Sequence, residues 1–283
     1  MRPAFPFVLE SVPEWKITDG KSHVSTGKGE GRMEKERETW QPLGSGYWAR
    51  VSPGHTFSTD TLLLSHFSRP RSTERRAVEL CAGCGVLSLL WLRKRERPLE
   101  IDAVEIQESA CLLMRQSVER NTLSGRYRPI QADLRNLKGL LEGNRYDLAA
   151  CNPPYMPAGA GIASKDAVSR AARHEEMCTI EDVVQAAARL LRPSGRLCLC
   201  QRPERLCSVM EACRQGNLEP KRLRLVQQRV EKAPKLFLLE ARKGARPGGL
   251  VVEPTLIIED GQGGYSQEMR EIYGDYARKE ETR

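Results

Sequence analysis

With 283 residues the chain can hold one full-sized domain and some extra length at its ends. Apolar residues make up 40% and charged residues 29%, ordinary for a globular protein, and no apolar run approaches the roughly 20 residues of a membrane-spanning helix. A net charge of +8 suits a polyanionic partner or simply a solvated basic surface, and nine cysteines without framework spacing exclude a disulfide scaffold.

Residues 1–40 mix Pro, Gly, Ser and charges without periodicity and balance seven Lys and Arg against seven Asp and Glu. The basic excess therefore lies in residues 41–283, in clusters such as Arg69/Arg71/Arg75/Arg76 and Lys221-Arg222/Arg224. The first segment is expected to be largely disordered, or a mis-assigned start. Lys28-Gly29-Glu30-Gly31-Arg32 can be encoded by a purine-rich stretch resembling a ribosome-binding site ahead of Met33. Pro3–Leu9, interrupted by Pro6, is too short and irregular for a signal peptide, so a cytoplasmic location is expected. The main domain is expected over residues 41–245, with 246–283 as a strand and helix appendage packed on it.

Strands and helices alternate from residue 77. Ala77–Leu80 reads as a strand, followed by a Gly-rich turn and a helix over Val86–Lys94. A second strand, Ile101–Ile106, leads into a helix over Glu108–Asn121, with Ala110, Leu113, Met114 and Val118 along one stripe. Arg128–Ala132 and Asp147–Cys151 are the third and fourth strands. An amphipathic helix over Ile180–Leu191 ends at Pro193-Ser194-Gly195; strand five is Arg196–Cys200, and a helix covers Glu204–Arg214. Arg222–Val230 and Leu236–Ala241, turning around Ala233-Pro234, form a closing antiparallel hairpin. Leu250–Ile258 is a further strand and Ser266–Tyr276 a Tyr-rich helix. Repeated βα units predict a parallel sheet with helices on both faces.

The turn after the first strand, Glu79-Leu80-Cys81-Ala82-Gly83-Cys84-Gly85, lets backbone pass close beneath a nucleoside cofactor. Glu105 ends the second strand, where a carboxylate can accept from both hydroxyls of a ribose; Asp133 follows the third, within reach of an adenine amino group. Three acids at successive carboxyl ends point to the crevice where such sheets bind ligands. Cys81 and Cys84 make a CxxC, read here as small residues filling a tight loop in preference to a redox pair; Cys198 and Cys200 share one strand face as packing residues.

Cys151-Asn152-Pro153-Pro154-Tyr155 follows the fourth strand on the same edge. The two prolines hold the chain extended with rigidly aimed carbonyls. Asn152 through its side-chain oxygen and Pro153 through its backbone carbonyl offer two acceptors converging on one amino group, and Tyr155 a face for stacking a planar base.

The loop, the acids and the tetrad together resemble class I S-adenosylmethionine-dependent methyltransferases. That implies a Rossmann-like α/β fold with a mostly parallel seven-stranded sheet, an antiparallel terminal hairpin, S-adenosylmethionine as cofactor and no metal. Glu79 would lie near the cofactor's methionine amino end, with Cys81, Gly83, Gly85, Glu105, Ile106, Asp133, Leu134 and Asn152 completing the cofactor contacts. Cys81 stands where the usual pattern has glycine, a substitution that fits if its φ is negative. The tetrad resembles motifs of adenine-N6, cytosine-N4 and glutamine-N5 methyltransferases, which implies catalysis by Asn152, Pro153, Pro154 and Tyr155. Over residues 40–276 the chain more closely resembles bacterial tRNA adenine-N6 methyltransferases that act beside the anticodon of a valine tRNA. The supporting stretches are Phe57-Ser58-Thr59-Asp60-Thr61-Leu62-Leu63-Leu64, Ala172-Arg173-His174-Glu175 and Tyr265-Ser266…Ile272-Tyr273. This implies a tRNA partner, with Phe57, Asp60 and Thr61 over the methionine end and Arg173 and His174 near the substrate mouth. A glutamine of a release factor, a ribosomal RNA base, or a non-catalytic RNA-binding role on the same fold are the alternatives.

Overall fold

The computed structural model describes residues 38–93, 99–153 and 178–274. The expectations for residues 1–37, and for Pro154, Tyr155, Arg173 and His174, lie outside the described residues. The chain opens with a hairpin that the sequence reading did not foresee, β1 (Thr39–Gly44) and β2 (Tyr47–Val51). β1 begins before residue 41, the expected start of the domain. Gly44, Ser45 and Gly46 all have positive φ, which makes the tight turn. The hairpin lies along the third helix: Asn121 holds both the N–H and the C=O of Trp48, and Ser117 Oγ accepts from Arg50 N–H. The Arg120 guanidinium lies 4.5 Å from the ring of Trp40 and 4.6 Å from that of Trp48.

After α1 (Thr59–Phe67), the βα units follow in turn: β3 (Arg76–Leu80), α2 (Val86–Arg93), β4 (Glu100–Glu105), α3 (Glu108–Arg120), β5 (Tyr127–Gln131) and β6 (Tyr146–Cys151). α4 (Ile180–Leu190) begins with a capping box in which Thr179 and Asp182 exchange hydrogen bonds. β7 (Leu191–Gln201), α5 (Leu206–Gln215), β8 (Leu218–Gln227) and β9 (Leu236–Lys243) complete the principal units. Pro193-Ser194-Gly195 falls inside β7 rather than before it. Ser194 has φ of +64°, and the β6–β7 register slips between Tyr146 and Leu148, absorbing the turn as an irregularity.

The main strands run in the spatial order β8-β9-β7-β6-β3-β4-β5. β3 to β7 are mutually parallel, and β9 lies antiparallel between β7 and β8. This is the expected mostly parallel seven-stranded sheet. Two short pieces, β10 (Val251–Val252) and β11 (Leu256–Ile257), extend it by pairing parallel to β8. They replace the single strand expected over Leu250–Ile258, because Pro254 supplies no N–H to the ladder. α6 (Gln267–Tyr273) packs back on α1, and the hydroxyls of Thr59 and Tyr273 lie 3.2 Å apart.

One apolar core joins α1, α2, α3 and α6 to one face of the sheet; a second joins α4 and α5 to the other. Arg196 is 2% exposed within the first layer. Its guanidinium meets Glu74 at 2.7 Å and Glu240 at 3.3 Å, and donates to the carbonyls of Ser68 and Arg69. No helix among the described residues is long and apolar enough to cross a membrane.

Candidate active site

The strand order reverses between β3 and β6, and the connections there leave in opposite directions, opening a crevice at the carboxyl edge. A cleft of about 940 Å³ lies there, lined by Cys81, Gly83, Val104, Glu105, Ile106, Gln107, Glu108, Ser109, Ala132, Asp133, Leu134, Asn152 and Cys178. Seven of the residues nominated from sequence thus share one wall: Cys81, Gly83, Glu105, Ile106, Asp133, Leu134 and Asn152.

The β3–α2 loop makes the floor. Cys81, Gly83 and Gly85 have φ of +54°, +54° and +73°. The condition under which cysteine was expected to be tolerated here, a negative φ, is therefore not met. The turn demands a left-handed residue, which is the physical reason glycine is usual there, and cysteine adopts it at some cost. At Gly85 a Cβ would fall 1.9 Å from the hydroxyl of Tyr127, so only glycine fits.

Glu105 is 7% exposed, and its two carboxylate oxygens take separate backbone donors: Oε2 accepts from Gly83 N–H at 2.8 Å and Oε1 from Gln107 N–H at 3.0 Å. A carboxylate has about four lone-pair sites, so each oxygen can still accept one hydroxyl. Asp133 is differently employed. Arg135 grips both its oxygens, at 2.9 and 2.6 Å, and its pKa is held below the usual carboxylate range by that guanidinium.

Glu79 does not line the cleft. It lies beneath the loop, 5% exposed, and Oε2 accepts from the N–H and the hydroxyl of Ser88 at 3.0 and 2.5 Å, in the first turn of α2. Burial pushes its pKa from 4.5 to about 7, against the lowering effect of the Ser88 bonds. Phe57 packs against the first core, Asp60 sits in the first turn of α1, and neither Thr61 nor Gly85 reaches the cleft wall.

Thr61 acts one step removed. Its Oγ accepts from Asn152 Nδ2 at 3.3 Å, while the Cys200 thiol donates to Asn152 Oδ1 at 3.0 Å. Cys200 was read from sequence as packing alone. Its one available signal was its place beside the carboxyl end of strand five, next to Asn152 across the β6–β7 pair. Cys178 was not foreseen either. Its sulfur lies 3.3 Å from that of Cys81 on the cleft wall, whereas Cys84 is buried, so the thiol neighbouring Cys81 is not its CxxC companion. Burial pushes the Cys84 thiol up to about 12, and the Cys81 thiol is pushed well above its usual range by its hydrogen bond with Cys151 and by burial, against the lowering effect of Cys178, so both stay protonated and poorly nucleophilic. Among the described residues no group of three or more His, Cys, Asp and Glu side chains is placed to hold a metal.

A switch-point cleft over a left-handed loop, with a fixed carboxylate at the tip of the adjacent strand, defines a class I S-adenosylmethionine-dependent methyltransferase. The family model for the methyltransferase small domain matches residues 54–213, more than half the chain, and the chain belongs to that family. The tRNA1(Val) (adenine(37)-N6)-methyltransferase of Parabacteroides distasonis is 28% identical over 220 residues, covering 77% of this chain and 89% of that protein. A predicted O-methyltransferase from Agrobacterium tumefaciens superposes with a TM-score of 0.60 at 20% identity, over 76% of this chain and 95% of that one. The T. thermophilus 16S rRNA N2 G1207 methyltransferase, solved with AdoMet and guanosine, gives 0.52 at 23% identity, over 76% of this chain and 53% of that one. These two structural likenesses show the fold. The donor set suits the cofactor: the fixed Glu105 carboxylate can take two vicinal hydroxyls, and the cleft volume falls in the range of cofactor sites.

Proposed function

We propose that this methyltransferase modifies the exocyclic N6 amine of an adenine in tRNA, in the anticodon region of a valine tRNA. The observation that carries the chemistry is Asn152 on the cleft wall, its amide held by Thr61 and Cys200. The substrate assignment is supported by the curated relative's name and by the basic charge of residues 41–283.

Bound in the cleft between Gly83, Glu105 and Asn152, the cofactor would supply a methyl group on a positively charged sulfur as the electrophile for the amine nitrogen. An exocyclic amine is a poor nucleophile because its lone pair is delocalised into the ring. Asn152 Oδ1 and the Pro153 carbonyl accept its two hydrogens, which favours a tetrahedral nitrogen and frees the lone pair. The gain is one of position and electrostatics realised in the transition state. The nitrogen becomes acidic as it is alkylated and loses its proton without a dedicated strong base. Glu105 orients the ribose, Thr61 and Cys200 orient Asn152, and the reading assigns stacking of the base to Tyr155 and substrate contacts to Arg173 and His174. The adenine must leave its stack to enter.

The test is mass spectrometry of nucleosides in tRNA from a deletion strain, where N6-methyladenosine should be lost and restored by the wild-type gene. Unchanged tRNA with altered ribosomal RNA or release-factor methylation would overturn the substrate. With purified enzyme, Asn152→Ala should lower kcat by about 10²–10³-fold while leaving cofactor affinity within a few-fold. Wild-type turnover by that variant would refute the role of Asn152.

A further inference from the structure

β7 and β8 both run antiparallel to β9, so the end of β7 at Gln201 and the turn between β8 and β9 share the edge that carries Asn152. In register, Leu199 faces Cys151 across the β6–β7 pair, Gln201 faces Phe237, and Val226 faces Leu236. The start of β9 is two strands from β6, about 10 Å at the usual ~4.8 Å spacing. That is within the span of one or two nucleotides.

This turn is basic, exposed and held in shape. Arg229, Lys232 and Lys235 are exposed, and Val230 at its crest is 78% exposed. Gln228 and Arg229 both bond to Glu259 at the base of the turn, and Gln227 Nε2 donates to the carbonyls of Val230 and Lys232. On the next connection, Arg202 donates to the Lys235 carbonyl at 3.1 Å. Glu259 is thereby committed to Arg229. Among the described residues Lys232, Lys235 and Arg205 form no ion pair, with Glu204 and Glu231 as the neighbouring acids. At the other end of the strands, by contrast, Arg76, Arg192, Arg196 and Arg242 are each paired with an acid. Solvated cations set on a preformed turn beside the cleft suit a polyanion whose phosphates arrive with the target.

We propose that Lys232 and Lys235 form the phosphate track on which the RNA backbone lies while its target base enters the cleft. This rests on the RNA-acting reading above. The exposed Val230 on the same turn gives the track an apolar surface against which a flanking base can lie.

The test is fluorescence-anisotropy binding of total bacterial tRNA to the full chain across a salt series. The variants are Lys232→Glu/Lys235→Glu and, as control, Arg246→Glu, an exposed charge beyond the far end of β9. For the double variant, Kd should rise about tenfold or more and the slope of log K against log salt should flatten by about 1.4, two single-strand contacts at ~0.7 each. Cofactor affinity by isothermal titration should be unchanged, which a merely structural lesion would not leave intact. Wild-type affinity and slope in the double variant, or an equal loss in Arg246→Glu, would overturn the track while leaving the RNA reading standing. A wild-type protein that neither binds nor methylates tRNA would overturn both, with an acidic protein substrate then the occupant of this turn.

Discussion

At the amino-terminal ends of β3, β6 and β7, charge is spent inside the fold. Arg196 joins Glu74 and Glu240, Glu240 also takes Arg71, Arg222 and Arg242, and Asp147 accepts Arg192 with the N–H groups of Arg75 and Arg76. Among the described residues at the carboxyl-terminal ends, Glu105 accepts from two backbone N–H groups, Glu79 from Ser88, and Lys232 and Lys235 pair with no acid. A buried ion pair compensates the desolvation of its own charges and has little left for a ligand. Although Asp133 pairs with Arg135 and Glu259 with Arg229 at the other edge, Glu105, Lys232 and Lys235 keep unsatisfied capacity there, and that is the capacity a cofactor and a substrate need.

The comparison predicts separate consequences at the two edges. Arg196→Met should be the largest lesion, about 3–5 kcal/mol of stability by urea unfolding, because it removes the buried guanidinium that faces the Glu74 and Glu240 carboxylates. Folded protein should still bind S-adenosylmethionine normally; a loss under 1 kcal/mol would show that this network is dispensable. Glu79 gives a pH-dependent counterpart. A carboxyl whose folded pKa is raised contributes stability that is fully present below about 4.5 and is lost as pH rises through about 7. Glu79→Gln cannot ionise, so its stability in thermal unfolding should gain on the wild type between pH 5 and 8, by up to ~3 kcal/mol at the upper end. Parallel pH profiles would break this reading of Glu79.

Glu105→Ala should leave folding nearly intact yet weaken cofactor binding about 10- to 100-fold, the worth of hydrogen bonds to a charged acceptor. Unchanged affinity by isothermal titration would remove Glu105 from the ribose assignment. The smallest effect belongs to Cys200→Ala. Loss of one thiol hydrogen bond to Asn152 should lower kcat by about 3- to 10-fold with little change in KM, while Cys200→Ser restores it. If both variants lose activity alike, Cys200 matters for packing rather than for aiming the amide.

What the sequence disclosed was mostly what backbone geometry demands. The Gly-rich turn, acids at strand ends and Asn152-Pro153 are local statements, because a loop under a cofactor needs left-handed residues and a strand tip fixes where its last side chain lies. The strands and helices from residue 77 onward were legible through their periodicity. The β1–β2 hairpin was not, although Gly44-Ser45-Gly46 marks its turn, because its first residues blend into a charged, aperiodic leader. The partners of Glu79 and Cys200 were not legible for a similar reason. Alternation along a strand reports a face, but which of two groups on that face meets the cleft depends on residues contributed by other strands and helices. Ser88 holds Glu79 under the loop, and Asn152 accepts from Cys200 behind the cleft wall.

The adjacency of β3 and β6 also acts as a ruler. The loop at Cys81 and the amide at Asn152 belong to distant stretches of chain, yet Leu80 and Cys151 are direct partners in register. Their separation is set by one interstrand spacing and not by the excursion through β4, α3 and β5. Lengthening the α3–β5 connection by several residues would therefore reshape the outer surface without altering the gap across which the methyl group must travel.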